Sequence, residues 1–138
     1  RSLASSLGLI VEEVKAHEGP DYAEWMHVTA HADGGKVSAG GTFFGSHPRI
    51  VRLNGRNVEC VPEGVLFLMN NRDKPGMVGY IGSLMGEHEI NIGSMSLNRD
   101  EEGGEALTVL NLDSVPPDAL LDKVNADPDI SNVRVIKL

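Results

Sequence analysis

A short polar stretch at residues 71–76, Asn-Arg-Asp-Lys-Pro-Gly, separates an apolar run from a segment with helical spacing. This position predicts a helix N-terminus, where free N–H groups and partial positive charge suit a carboxylate. Asp73 can supply negative charge for an ammonium group, and Asn71 and Asn91 can supply amide oxygens. We expect Asn91, at the start of the next strand, to lie beside this turn. The candidate residues for binding a small amino acid are Asn71, Asp73, Pro75, Gly76 and Asn91.

An ordinary structural role is the alternative for these residues. Asp73 can cap the predicted helix, and asparagines are common in turns. Gly76, Gly79 and Gly82 recur every three residues, which places them within one helix rather than in a phosphate-binding loop. We expect these glycines to allow close packing of that helix, and we expect no cofactor in this chain.

The charge pattern limits the partners. Net charge is −8, from 12 Lys and Arg against 20 Asp and Glu, and an acidic surface repels nucleic acid and anionic lipid. Arg49, Arg52 and Arg56 form a local basic group, for which solvated surface arginines are the plain interpretation. No run approaches the roughly 18 apolar residues that a membrane helix needs.

The sulfur and imidazole groups predict neither a metal site nor a catalytic site. Cys60 is the only cysteine, so it can form no internal disulfide, and a reducing cytoplasm is the simple expectation. His27 and His31 fall on one predicted strand, where four residues span about 13 Å, too far for one ion.

The first 62 residues predict antiparallel strands with little helix. Asp33-Gly34-Gly35 and Asn54-Gly55 are hairpin turns, the second suited to type I′. Such a sheet needs a cover on one face. Because the chain begins at Arg1, we expect a fragment whose covering elements lie upstream. The predicted elements are a helix end at Ser2–Leu7, a loop at Ala16–Asp21, and strands at Leu9–Lys15, Glu24–Ala32, Lys36–Phe44, Arg49–Leu53 and Arg56–Val61.

Pro62-Glu63-Gly64 marks a predicted boundary, after which the pattern becomes β-α-β-β-α-β. That order is typical of a ferredoxin-like fold, with both helices on one face of a four-stranded antiparallel sheet. The other face is expected to be bare, and we therefore expect a homodimer. The predicted elements are strands Val65–Met69, Ile90–Asn98 (with a bulge at Gly93), Glu105–Leu112 and Ile130–Leu138, and helices Gly76–His88 and Pro116–Ala126.

Two stretches, residues 71–92 and 103–113, resemble an ACT domain, the small amino-acid-binding regulatory module. Together with Arg49–Arg56 they resemble the C-terminal end of the long form of D-3-phosphoglycerate dehydrogenase. The resemblance implies an α+β chain with two parts. Residues 1–62 would be a fragment of the intervening, allosteric substrate-binding domain, and residues 63–138 would be the ACT domain.

This resemblance implies a parent enzyme that oxidises 3-phosphoglycerate with NAD through N-terminal catalytic domains that this chain lacks. In that family, positions matching Asn71, Asp73 and Asn91 bind L-serine between ACT domains of a homo-oligomer. The hairpin can hold an anion there, at positions matching Arg49 and Arg56. Two alternatives stay open: the beta part of a bacterial L-serine dehydratase, which shares this pair of domains, and a dimerisation scaffold that binds no ligand.

Overall fold

The computed structural model describes residues 2–14 and 24–138, which form two four-stranded antiparallel sheets and three helices. The predicted α+β class is confirmed. The elements are α1 Ser2–Ser6, β1 Met26–Ala32, β2 Gly35–Phe44, β3 His47–Leu53, β4 Arg56–Cys60, β5 Val65–Arg72, α2 Met77–Glu87, β6 Ile92–Arg99, β7 Glu105–Leu112, α3 Asp118–Ala126 and β8 Ile130–Lys137.

The first sheet is a meander of hairpins in the order β1-β2-β3-β4. Its last turn has Asn54 at φ 48° and Gly55 at φ 81°. Two successive positive φ angles are what a type I′ turn requires, so the predicted turn is confirmed. A register shift at Gly40/Gly41 marks a bulge in the pairing of β2 with β3.

The strand predicted at Leu9–Lys15 is wrong over its described residues. Residues 9–14 have no regular structure, and Ile10 and Val14 are almost fully exposed. Alternating polarity forms a strand only where another strand supplies a hydrogen-bonding ladder, and no described strand lies beside this segment. The loop predicted at Ala16–Asp21 lies outside the described residues, whereas the predicted helix end appears as α1.

The second sheet has the order β6-β7-β5-β8, which is the ferredoxin-like arrangement predicted from the sequence. The bulge predicted at Gly93 is present as a register shift between Ile92 and Ser94. Helices α2 and α3 cover one face of this sheet. The largest side chains of the core between them are Phe67, Met69, Ile81, Met85, Leu110, Leu120 and Val124.

Helix α2 buries Ile81, Leu84 and Met85 of the stripe that helical spacing predicts (Val78, Ile81, Leu84, Met85 and His88), and Met77 joins them in place of Val78. Met77, Ile81, Leu84 and Met85 are buried, which is the i, i+4, i+7, i+8 pattern of one helical face. Val78, which we expected on that face, is 52% exposed. The helix begins at Met77, and the next residue therefore points about 100° away from the core.

The second face of the ferredoxin-like sheet is partly covered by the same chain, contrary to the expected bare face. Val58 and Cys60 of β4 pack on Leu66, Leu107 and Val109 to form a second core cluster, with Ile50, Leu53 and Leu68 at its margin. Polar contacts border this cluster. The Asn111 amide accepts from the Val61 N–H at 3.2 Å and donates to the Val61 carbonyl at 2.9 Å. The two sheets therefore share an interior.

We predict that Leu66→Ala lowers the free energy of unfolding by about 2–4 kcal/mol, because the cavity opens between the two sheets. The matched control is Val37→Ala, which removes apolar atoms from an exposed strand position and should change stability by less than about 0.5 kcal/mol. Urea denaturation measures both. Equal losses for the two variants would contradict the shared interior.

Candidate functional site

The loop between β5 and α2 brings Asp73, Pro75 and Gly76 to the start of a helix, as predicted. Gly76 immediately precedes the helix at φ 90°, a left-handed conformation that glycine adopts easily. Among the described side chains, none caps this helix, so the capping role considered for Asp73 is not observed. The first turn therefore presents N–H groups without a side-chain acceptor, which suits a carboxylate.

Asp73 is held at the mouth of this loop by the β6–β7 hairpin. Its Oδ2 accepts hydrogen bonds from Arg99 Nη1 at 2.9 Å and from the Gly103 N–H at 3.2 Å. The hydrogen bond from Arg99, followed by that from Gly103, holds the pKa of the Asp73 carboxyl below its ordinary value. Asp73 is consequently a negative charge in a fixed position at neutral pH.

Asn71 lies below the loop rather than in it. Strand β5 runs on to Arg72, three residues past the predicted strand end at Met69, and Asn71 is 2% exposed. Its Oδ1 accepts from Thr108 Oγ1 at 2.7 Å and its Nδ2 donates to the Arg72 carbonyl at 3.1 Å. The side chain is thus occupied by internal bonds that satisfy a buried amide and position the end of β5.

Asn91 does not lie beside the turn, and that expectation is wrong. Arg72, at the end of β5, pairs with Glu105, whereas Ile92 pairs with Leu112 at the other end of β7. Seven residues of β7 separate the two ends, which is roughly 23 Å at 3.3 Å per residue. Asn91 instead donates to Asp113 Oδ2 at 2.8 Å. Within one chain, Asp73 and Asn91 cannot contact the same small molecule.

The three arginines of the β3–β4 hairpin lie in three different environments. Arg56 Nη2 contacts Asp100 Oδ2 and the Glu105 carbonyl, both at 3.0 Å, and joins the first sheet to the β6–β7 loop. The Arg49 guanidinium lies 6.0 Å from the ring centroid of Phe44 and borders a groove between β4 and β6. Arg52 lies on the face of the first sheet that is directed away from the ACT domain, beside Trp25 and His27. Arg49 and Arg56 therefore do not lie in one site. Of the two, only Arg49 remains a candidate for the predicted anion site.

The Cys60 thiol and the described side chains that could hold a metal are two further groups to consider. Cys60 is buried, and this burial raises the pKa of its thiol to about 11, which disfavours the nucleophilic thiolate. Within residues 2–14 and 24–138, no group of three or more His, Cys, Asp or Glu side chains could hold a metal ion. No described helix is long and apolar enough to cross a membrane. Gly79 and Gly82 lie inside α2, so they do not form an NAD phosphate loop.

Sequence reasoning missed three residues that contact Asp73 or Asn91, namely Arg99, Gly103 and Asp113. A basic residue closing β6 directly before an acidic loop was a usable signal for Arg99. Gly103 donates its backbone N–H to Asp73 and has φ 74°. In the sequence, only its position in a pair of glycines suggests such a contact. Asp113 becomes relevant only when the β6–β7 register sets it against Asn91.

The geometry and the sequence agree on the class of domain. Residues 65–129 match the ACT domain family, and with the ferredoxin-like sheet described above they belong to that family.

The chain as a whole is similar to D-3-phosphoglycerate dehydrogenases. It is 36% identical to the enzyme of Methanocaldococcus jannaschii over 94% of this chain and 24% of that protein. It is 34% identical to the Mycobacterium tuberculosis enzyme over 99% of this chain and 26% of that protein. It is 30% identical to the Archaeoglobus fulgidus enzyme over 100% of this chain and 27% of that protein. The resemblance stated from the sequence is confirmed. The chain spans about a quarter of the length of these relatives.

We predict that Arg99→Gln raises the pKa of the Asp73 carboxyl toward its ordinary value, because the largest stabilising contact to the carboxylate is lost. In the unchanged protein the folded-state pKa lies below the unfolded one. The ion pair therefore stabilises the fold above the unfolded pKa, and this stabilisation is lost as pH falls through the folded-state pKa.

Carboxyl carbon chemical shifts followed by NMR against pH measure this pKa. Lys123→Gln, which removes an exposed lysine paired with Glu87, is the charge-matched control. An Asp73 titration that is the same in Arg99→Gln and the unchanged protein would refute the ion pair.

Proposed function

We propose that this chain is the regulatory portion of a D-3-phosphoglycerate dehydrogenase and that its ACT domain senses L-serine, the product of the pathway that the enzyme opens. The whole enzyme would oxidise 3-phosphoglycerate with NAD in the cytoplasm, through domains outside this chain. Similarity to dehydrogenases of three organisms supports the parent enzyme. All of these matches cover the segment with the ACT domain rather than a dinucleotide fold.

The observation that carries this proposal is the position of Asp73 and Asn91 at opposite ends of one sheet. Strand β6 is an edge of that sheet. If the β6 strands of two copies paired antiparallel about a two-fold axis, the two four-stranded sheets would join into one continuous sheet. Such pairing sets the start of one β6 beside the end of the other. Asn91 of the second copy then comes next to Arg99, whose partner is Asp73. Two equivalent sites result, each shared between two chains.

The exposed surface of α2 supports the same pairing. Gly79, Gly82 and Gly86 have no atom of the described residues beyond their own helix backbone within 4 Å of a Cβ built on them, so they serve no close packing against the described part of this chain. Val78 and Met95, on α2 and β6, are also solvent-exposed. The glycines therefore form a surface without protruding side chains, and the apolar side chains of Val78 and Met95 flank it. Helix α2 of a second copy could pack closely on this surface.

The chemistry of such a site matches a zwitterion. The ligand carboxylate would accept hydrogen bonds from the first-turn N–H groups of α2. Its ammonium group would lie against the Asp73 carboxylate, with the Asn91 amide of the second copy as a further partner. A side chain as short as that of serine suits a site between two backbones. The coupling to a catalytic domain would be about 1–3 kcal/mol and reciprocal.

We predict that Asp73→Ala abolishes L-serine binding while leaving the fold intact, since the fixed negative charge for the ammonium group is lost. Isothermal titration calorimetry with L-serine, and with glycine and D-serine for selectivity, measures this. Asp122→Ala, an exposed carboxylate of α3, is the matched control and should bind normally. Absence of binding to the unchanged, folded dimer would favour the scaffold function over the sensor.

Mixing Asp73→Ala chains with Asn91→Ala chains tests whether the site is shared. Each variant alone has no complete site. In a mixed dimer, one site combines the intact Asp73 of one chain with the intact Asn91 of the other, so we predict that binding returns. If both residues acted from the same chain, the mixed dimer would have no complete site and calorimetry would show no recovery. Sedimentation equilibrium confirms that mixed dimers form.

A further inference from the structure

The loop between β6 and β7, residues 100–104, is held at its base by a side chain of the first sheet. Arg56 Nη2 lies 3.0 Å from Asp100 Oδ2 and donates to the Glu105 carbonyl at 3.0 Å. The Glu105 carbonyl also accepts the Asp100 N–H at 3.1 Å, which closes the hairpin. Arg56 therefore contacts both residues that close the loop. Because its side chain is only 22% exposed, water screens this ion pair less than one on the open surface.

The far end of the same loop holds Asp73. The Gly103 N–H donates to Asp73 Oδ2 at 3.2 Å, and the Asp73 N–H donates to the Gly104 carbonyl at 2.8 Å. Arg99, which directly precedes the loop, adds the third contact at 2.9 Å from its Nη1 to Asp73 Oδ2. The direction of the Asp73 carboxylate is thus set by residues 99–104.

The loop is wound tightly between these two ends. The Gly104 N–H donates to the Glu101 carbonyl at 3.1 Å. A Cβ added to Gly104 would lie 2.8 Å from Glu101 Cγ and 3.2 Å from its carbonyl oxygen, so only glycine fits there without a shift. One short hydrogen-bonded turn therefore joins the Arg56 contact to the Asp73 contact, and such a continuous network can carry a displacement from one end to the other.

We propose that Arg56 is a positioning residue of the effector site: it fixes the base of residues 100–104, and this loop directs the Asp73 carboxylate toward the ligand ammonium group. For its ligand the proposal rests on the serine-sensing function, whereas the direction of Asp73 is a property of the chain without ligand. An effector bound at Asp73 would stabilise the Arg56 contact, and by reciprocity the Arg56 contact would strengthen effector binding.

The Asp73 carboxyl reports on this arrangement in the absence of any ligand, because hydrogen bonds from Arg99 and then Gly103 lower its pKa. In the full 138-residue chain, NMR follows the Asp73 carboxyl carbon against pH for Arg56→Gln and for Asp100→Ala. Both variants should raise the Asp73 pKa toward its ordinary value, since the released loop no longer holds its two donors against the carboxylate.

Asp100→Ala separates positioning from a direct effect of charge. Removal of a nearby negative charge would by itself lower the Asp73 pKa, whereas a loosened loop raises it. Arg134→Gln on β8 has the same charge change as Arg56→Gln and should titrate like the unchanged protein. Dispersed amide resonances show that each variant is folded. The proposal is overturned if the Asp73 pKa does not rise in folded Asp100→Ala or Arg56→Gln, or rises equally in Arg134→Gln.

Calorimetry with L-serine measures what this positioning contributes to binding. Arg56→Gln and Asp100→Ala should each weaken L-serine binding by about fivefold or more. Because both act on one contact, their losses should be less than additive in the double variant. Fully additive losses, or unchanged affinity in both single variants, would contradict the role of Arg56. If the unchanged chain binds no L-serine, the sensing function fails, and the Asp73 titration alone decides whether Arg56 positions this carboxylate.

Discussion

The packing of β4 on the second face of the ACT sheet is the contact that the rest of the structure depends on. A four-stranded sheet with both helices on one side leaves Leu66, Leu107 and Val109 facing away from them. Val58 and Cys60 bury these side chains from within the same chain. The Asn111 amide hydrogen-bonds both backbone groups of Val61 beside the junction, so the chain passes between the sheets there with the Val61 N–H and carbonyl paired.

A second set of contacts connects the loop that carries Asp73, between β5 and α2, with the first sheet. The loop between β6 and β7 is bound on one side by Asp73, through Gly103 and Gly104, and on the other by Arg56, through Asp100 and Glu105. One short loop therefore contacts both Asp73, the proposed partner of the ligand ammonium group, and Arg56 of the β3–β4 hairpin. Coupling through it requires two arrangements of the loop that a ligand at Asp73 stabilises differently. Its glycines give it the backbone freedom for such a change.

Local patterns predicted most of the fold. Apolar stretches and turn dipeptides located every strand from β1 to β8, and Asn54-Gly55 identified its turn type, because these features depend on neighbouring residues alone. The misplaced features depend on distant ones. Leu9–Lys15 alternates like a strand, but its described part has no ladder to join. The covered face of the ACT sheet follows from contacts between Val58 and Val109, which are 51 positions apart and have no joint signature in the sequence.

The candidate site divides in the same way. Asp73 and Gly76 were identified because a helix start is a local feature, whereas the position of Asn91 required the topology. β5 and β6 both pair antiparallel with β7 and so run parallel to each other. The chain leaves β5 at one end of the sheet and α2 carries it back, so β6 must begin at the other end. Nearness in sequence across α2 therefore means distance in space.

This constraint has a thermodynamic consequence for the proposed sensor. If neither chain contains a complete site, the effector has little affinity for the monomer, and its binding free energy adds to that of dimerisation. By linkage, the effector tightens the dimer by the same factor as dimerisation tightens effector binding. Burial of the small-residue surface of α2 supplies contact without a bulky side chain to reposition. In such an arrangement, the amino acid acts chiefly on how firmly two ACT sheets are joined, and the β4 contact passes that change to the neighbouring sheet.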